Sequence, residues 1–216
     1  MRDEGVLDPR VAAWFDANPL MAQPFEDFAP EILALARAPV GAPPTRAVAR
    51  VEDAVVDGVP VRIYQDSAPA GLVVYLHGGG FCIGSIGLMD HIARELAHRA
   101  GAAVVSVGYR LAPEHPYPAG LDDCQTVTRW AQRNARQFGV SPACVAVAGE
   151  SAGGNLATAV ALRLREKTAP LAGQVLMYPS LAAASRRFRS REEFDGIVLN
   201  TAASEGFWAA YRRGAT

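Results

Sequence analysis

Beyond position 70 the chain alternates short, almost wholly apolar runs with longer stretches in which apolar residues recur every three or four positions. The runs 72–76, 102–107 and 143–148 predict strands covered on both faces, as in a parallel sheet. Runs at 47–55, 59–64 and 175–178 predict further strands, making six the minimum count. Between them, Asp90 is placed to cap a helix whose Ile92, Ala93, Leu96, Ala97 and Ala100 form one stripe, with Gly101 as a left-handed exit. Leu121, Cys124, Val127, Ala131, Ala135 and Phe138 form a second stripe ending at Gly139, and Leu156, Val160 and Leu164 a third. The front of the chain is helical instead. Asp8 and Pro9 make a helix start, with Val11, Trp14 and Phe15 on one face. Pro30 opens a short helix carrying Ile32 and Leu35, which fails at Pro39, and Gly41-Ala42-Pro43-Pro44 follows as a linker.

Strand and helix alternation of this kind predicts an α/β fold: a mostly parallel sheet flanked by helices. The chain divides into a helical segment with its linker (1–45), the α/β core (46–182) and a charged tail (183–216). At 216 residues, half of them hydrophobic, it is long enough for one substantial core. A formal net charge of −1 provides no long-range field favouring nucleic acid or an anionic membrane, so small neutral partners are expected. The first five residues are polar, and no apolar run approaches the roughly 18 residues that span a bilayer, so a cytoplasmic protein without a membrane span is expected. Cys82, Cys124 and Cys144 have no metal-like or redox-like spacing and are expected to be buried free thiols.

Chemistry enters at Val147-Ala148-Gly149-Glu150-Ser151-Ala152-Gly153-Gly154, where an apolar strand runs into a helix through a serine set among small residues. Bare Gly-x-Ser-x-Gly is a weak pattern, but between a strand and an amphipathic helix it predicts a nucleophile elbow that exposes the serine oxygen. The helix amino terminus would aim amide hydrogens at an anion formed there. His77-Gly78-Gly79-Gly80 follows the strand 72–76, and its amides could approach a substrate closely enough for two of them to donate to a developing oxyanion. A phosphate loop would need a lysine followed by serine or threonine, which is missing here.

Three motifs in this order, His77-Gly78-Gly79-Gly80-Phe81, Tyr109-Arg110-Leu111-Ala112-Pro113-Glu114-His115-Pro116 and Gly149-Glu150-Ser151-Ala152-Gly153-Gly154, resemble the bacterial hormone-sensitive-lipase-like esterases of the α/β-hydrolase fold. The resemblance implies that Ser151 is the nucleophile and that the amides of Gly78, Gly79 and Ala152 form the oxyanion hole. It implies hydrolysis of short or medium acyl esters without metal or cofactor. It also makes the front helices and the residues Asp195-Gly196 and Phe207-Trp208 two parts of a cap, with a small apolar pocket expected to be roofed by the front helices. Gly108 departs from the family, which usually has an aspartate before the Tyr-Arg pair.

The ending is the larger departure. In the family the acid and base follow the seventh and eighth strands, and no position here matches either, so a truncated chain without the last two strands is expected. A catalytically dead small-ligand binder and a non-functional fragment are the alternatives. Among the four histidines, His77 is expected to brace the glycine loop, His115 to make a structural contact, and His91 and His98 to be solvated. Glu150 is expected to brace the elbow. The run 186–191, rich in arginine, stands beside Glu192, Glu193 and Asp195 and predicts a self-neutralising surface. The strand 175–178, with Val175, Leu176, Met177 and Tyr178, would present an open apolar edge and so a homodimer surface, or would be covered by the segment 181–216.

Overall fold

The computed structural model describes residues 8–17, 29–38, 46–66, 68–165, 170–182, 195 and 199–213. The linker 41–44 and the run 186–191 lie outside them. Six strands, β1 (Arg50–Val56), β2 (Val59–Gln65), β3 (Gly71–Leu76), β4 (Ala102–Val107), β5 (Val145–Glu150) and β6 (Gly173–Met177), form one sheet in the order β1-β2-β4-β3-β5-β6. β1, β2 and β4 pair antiparallel, while β4, β3, β5 and β6 are mutually parallel.

The helices are α1 (Pro9–Ala17), α2 (Pro30–Arg37), α3 (Asp90–Ala100), α4 (Ala119–Asn134), α5 (Ala152–Leu164) and α6 (Thr201–Tyr211). α3 covers one face, where Ala93 and Ala97 pack with Tyr64, Tyr75, Val104 and Ala148. α4 and α5 cover the other, through Leu121, Cys124, Val127 and Ala131 and through Leu156, Val160 and Leu164. The apolar stripes of these three helices therefore do face the sheet, except Ala100, which is exposed at the end of α3. Every residue of β4 is buried, as its uninterrupted apolar run predicts.

Several boundaries move. β5 begins at Val145, because Ser141 accepts the Ala143 N–H and closes Pro142–Cys144 into a 3-10 turn. At its other end β5 carries on to Glu150, which is paired with Met177. Asp90 does not cap α3; its carboxylate instead takes the Tyr64 hydroxyl and the guanidinium groups of Arg62 and Arg94. Asp8 does cap α1, accepting the Arg10 N–H at 2.8 Å. α2 buries Leu33, while Ile32 and Leu35 are exposed. Cys82 and Cys124 are buried free thiols, but Cys144, in the turn before β5, is exposed. Among the described residues no helix is long and apolar enough to cross a membrane.

The topology selects the place for a site. From β3 the chain passes through α3 to β4 on one side, then returns through α4 to β5 on the other side of β3. Connections that leave in opposite directions open a crevice outside the carboxyl ends of β3 and β5. The glycine loop and the serine turn emerge at those two ends.

Candidate active site

Ser151 joins β5 to α5 with φ 52° and ψ −118°, a left-handed backbone uncommon for a residue with a side chain. Strain of this kind, about 1–3 kcal/mol, persists only where the surroundings enforce it. Here the Ser151 N–H donates to Met177 O at 3.0 Å, and its carbonyl accepts the N–H groups of Asn155 and Ser180 at 3.1 and 2.9 Å. The Asn155 amide also donates to Ser180 O. The turn passes so close to β3 that a Cβ on Gly153 would lie 2.0 Å from Leu76 O, so only glycine fits there.

Ser151 opens onto a pocket of about 240 Å³ lined by Gly79, Gly80, Phe81, Ile83, Ala152, Ser180, Leu199, Ser204, Phe207 and Trp208. The glycine loop and the elbow thus meet at one mouth. The roof comes from α6, with Phe207 lying against Gly80 and Trp208 beside Phe81, and among the described residues none that lines the pocket belongs to α1 or α2. Asn200 caps α6 by accepting the Ala203 N–H at 2.6 Å, and Asp195 accepts the Thr201 N–H and hydroxyl.

The three amides expected at the oxyanion site differ. The Gly78 N–H donates to the buried Glu150 Oε1 at 2.6 Å, so its one proton is committed away from the pocket. Among the described residues, the N–H groups of Gly79, Gly80 and Ala152 donate to no protein acceptor, and all three residues line the pocket. Gly80, absent from the expected set, lines the pocket with an N–H that has no protein acceptor among the described residues. Composition and spacing could not separate the three glycines; the partner that does so lies 72 residues away.

None of the four histidines lines this pocket. His77 is buried, and burial holds its pKa down to about 4. Its neutral ring donates Nδ1–H to Gly78 O at 2.8 Å and stacks on Tyr109, whose hydroxyl donates to His77 O. It braces the loop, as expected. His115 is exposed in the loop before α4, His91 is exposed on α3, and His98 pairs with Asp66 at 2.7 Å. Burial pushes the Cys82 thiol up to about 12, which makes it inert.

The Tyr-Arg-Leu-Ala-Pro-Glu segment ties the pieces together. Arg110 grips Asp123 of α4 through side chain and backbone. Glu114 makes a bidentate pair with Arg37 at 2.9 Å, and the same guanidinium donates to Cys82 O and Ala112 O. α2 is thereby bound to the loop that follows the three glycines. Gly108 precedes the segment, and a Cβ there would come within 3.1 Å of Ile86 Cδ1 and 3.2 Å of Pro60 O, so a side chain at this position would need its neighbours to give by a few tenths of an ångström.

This arrangement, a strained serine between parallel strand and helix with a glycine loop beside it, is that of the α/β-hydrolase fold, and the chain belongs to that family, whose model matches residues 73–216. Within it the chain is a bacterial hormone-sensitive-lipase-like esterase homologue. It is 42% identical over 173 residues to the carboxylesterase NlhH of Mycobacterium tuberculosis, covering 75% of this chain and 54% of that one. The crystal structure of DphMB1 superposes with a TM-score of 0.83 at 39% identity, over 97% of this chain and 70% of that one. An esterase of the bacterial hormone-sensitive lipase family superposes with a TM-score of 0.81 at 26% identity, over 98% and 71%. The chain spans about half the length of NlhH.

Proposed function

We propose that the chain carries the nucleophile half of a carboxylic ester hydrolase acting through an acyl-enzyme on Ser151. The observation that carries this is the meeting of a strained, pocket-lining serine with the unpaired amides of Gly79, Gly80 and Ala152. Ser151 Oγ attacks the ester carbonyl carbon, and the electron pair moves onto the carbonyl oxygen, where those amides stabilise it. Collapse expels the alcohol, and water then releases the acid. No metal or cofactor is required. A pocket of about 240 Å³ with mostly apolar walls suits short or medium acyl esters. The front helices α1 and α2 and the helix α6 serve as the two parts of the cap. The edge of β6, unpaired among the described residues, serves as a pairing surface for a second copy of the chain.

The chemistry still needs a base for the Ser151 proton, and no histidine lines the pocket. This supports weak turnover by the isolated chain, because oxyanion hole and binding alone supply roughly a thousandfold to ten-thousandfold rate gain over water. The same observation favours the second reading, a catalytically dead homologue that keeps the pocket to bind small ligands. An activated alkyl phosphonate separates them. Stoichiometric mass addition that is lost in Ser151→Ala supports the hydrolase, together with slow p-nitrophenyl acetate turnover. An unmodified Ser151 under forcing conditions supports the ligand binder. Turnover at the rate of an intact esterase would overturn the base-deficient reading.

A further inference from the structure

Glu150 stands immediately before the nucleophile and is buried at 4% exposure. A carboxyl group at that depth is costly unless its oxygens are satisfied. Oε1 accepts the Gly78 N–H, but Oε2 has no hydrogen-bond partner among the described residues, and neither has the buried hydroxyl of Tyr75. These two side chains interact, both being on the α3 face of the sheet, where Tyr75 of β3 is paired with Ala148 of β5. The other titratable groups facing Glu150 are His91 on α3, Tyr178 after β6 and Tyr109 after β4. Burial raises its pKa above the ordinary carboxylate value, with Tyr75, the Gly78 N–H and His91 opposing the rise. The fit is close: a Cβ on Gly78 would come within 3.1 to 3.3 Å of Glu150 O, Cγ and Oε1.

Peptide planarity makes the anchor consequential. Fixing the Gly78 amide fixes the peptide plane from which the next two, whose N–H groups are those of Gly79 and Gly80, are laid out through two soft dihedrals each. Gly79 adopts φ 116° and Gly80 φ 58°, so the loop turns sharply straight after the anchored amide. Nothing else in the loop holds Gly79 N–H or Gly80 N–H, which donate to no protein acceptor among the described residues.

We propose that Glu150 is a positioning residue for the oxyanion hole: its Oε1 anchors the glycine loop through Gly78 N–H, and its Oε2, facing the Tyr75 hydroxyl, takes up the proton that decides whether this anchor is charged. The proposal rests on the ester-hydrolase reading for its consequence but not for its geometry. Either form can satisfy both orphaned atoms: the Tyr75 hydroxyl donates to an ionised Oε2, and a protonated Oε2–H donates to the Tyr75 oxygen. In the ionised form a negative charge stands behind the amides that must stabilise a developing oxyanion.

Two measurements on the full chain test it. By NMR, the Gly78 amide proton should resonate far downfield and move with pH, with a midpoint above the ordinary carboxylate range. In Glu150→Gln, which keeps an acceptor but cannot ionise, that movement should vanish, although His77 is still present to titrate. In Glu150→Ala, hydrogen exchange at Gly78, Gly79 and Gly80 should accelerate while α3 and α5 keep their protection. Phosphonate modification of Ser151 should stay within about threefold of wild type in Glu150→Gln and fall tenfold to a hundredfold in Glu150→Ala, since about 1 Å of misplacement can cost a hundredfold. A Gly78 proton that titrates identically in wild type and Glu150→Gln, or unchanged exchange in Glu150→Ala, overturns the anchor. Normal loop effects with an unreactive wild-type Ser151 would leave the anchor standing and remove the hydrolase reading instead.

Discussion

At the scale of single residues, burial decides chemistry more than residue type does. His77 could be a general base by identity, yet its ring is sealed between Tyr109 and the glycine loop and is held neutral. With a folded pKa of about 4 against 6.5 for the free group, the unfolded chain binds the extra proton between those values. The stability contributed by neutral His77 is therefore complete above pH 6.5 and is lost as the pH falls towards 4, in total about 3 kcal/mol. Glu150, whose pKa is raised, acts in the opposite direction: its contribution is complete at low pH and is lost as the pH climbs through its folded value. Urea unfolding across pH 4 to 7 should show a flatter profile for His77→Asn than for wild type; parallel profiles would count against a neutral buried ring. Gly80→Ala tests the roof, because its Cβ would lie 2.4 Å from the Phe207 ring at a backbone with φ 58°. Phe207 must move or the loop must shift, so destabilisation by about 1–3 kcal/mol is expected. Gly80→Ala with Phe207→Ala should recover much of it, measured as a double-mutant cycle.

At the scale of elements, α2 has little apolar attachment, with Leu33 as its one fully buried side chain among the described residues. Arg37 compensates by joining the end of α2 to Cys82 O, Ala112 O and Glu114. Hydrogen bonds from a charged donor are worth about 1.5–3 kcal/mol each at best, and this guanidinium is one-quarter exposed, which discounts them. Arg37→Ala should accelerate hydrogen exchange throughout α2 while leaving α4 and α5 unchanged. Equal protection of α2 in the variant would show that Leu33 alone suffices. α6 is attached differently, through Tyr211 stacked on Phe81, Trp208 tilted against the same ring and Phe207 lying against Gly80, so it should be unaffected by the same substitution.

At the scale of the whole molecule, β6 pairs with β5 on one side, and its other side is unpaired among the described residues. The strand has no charged residue or proline of the kind that guards an edge, and Val175 and the neighbouring Tyr178 are 54% and 74% exposed. Self-association through this edge is expected at micromolar concentration, and sedimentation velocity should detect it. Leu176→Lys should weaken it by placing a charge on the partly buried face of the strand. A monomer throughout the concentration range, or a dimer indifferent to Leu176→Lys, would exclude the edge as the association surface.

Local pattern in the sequence was enough for the alternation of strands and helices, for the elbow at Ser151 and for the order of the three motifs, because periodicity, turn chemistry and small-residue spacing act over a few residues. The stripes of α3, α4 and α5 faced the sheet for the same reason. What depended on distant partners was not legible. Gly78 is chemically identical to Gly79 and Gly80, and it is set apart only because Glu150 ends the neighbouring strand and takes its proton. Asp90 begins α3 as a capping residue should, yet Arg62, Arg94 and Tyr64 claim its carboxylate once β2 lies alongside. The roof over Ser151 is α6, and which helix closes the pocket is a matter of packing between segments more than 50 residues apart. A sequence specifies which groups a chain offers; in this molecule, competition among partners brought together by the fold decides which amide, carboxylate and ring each group finally meets.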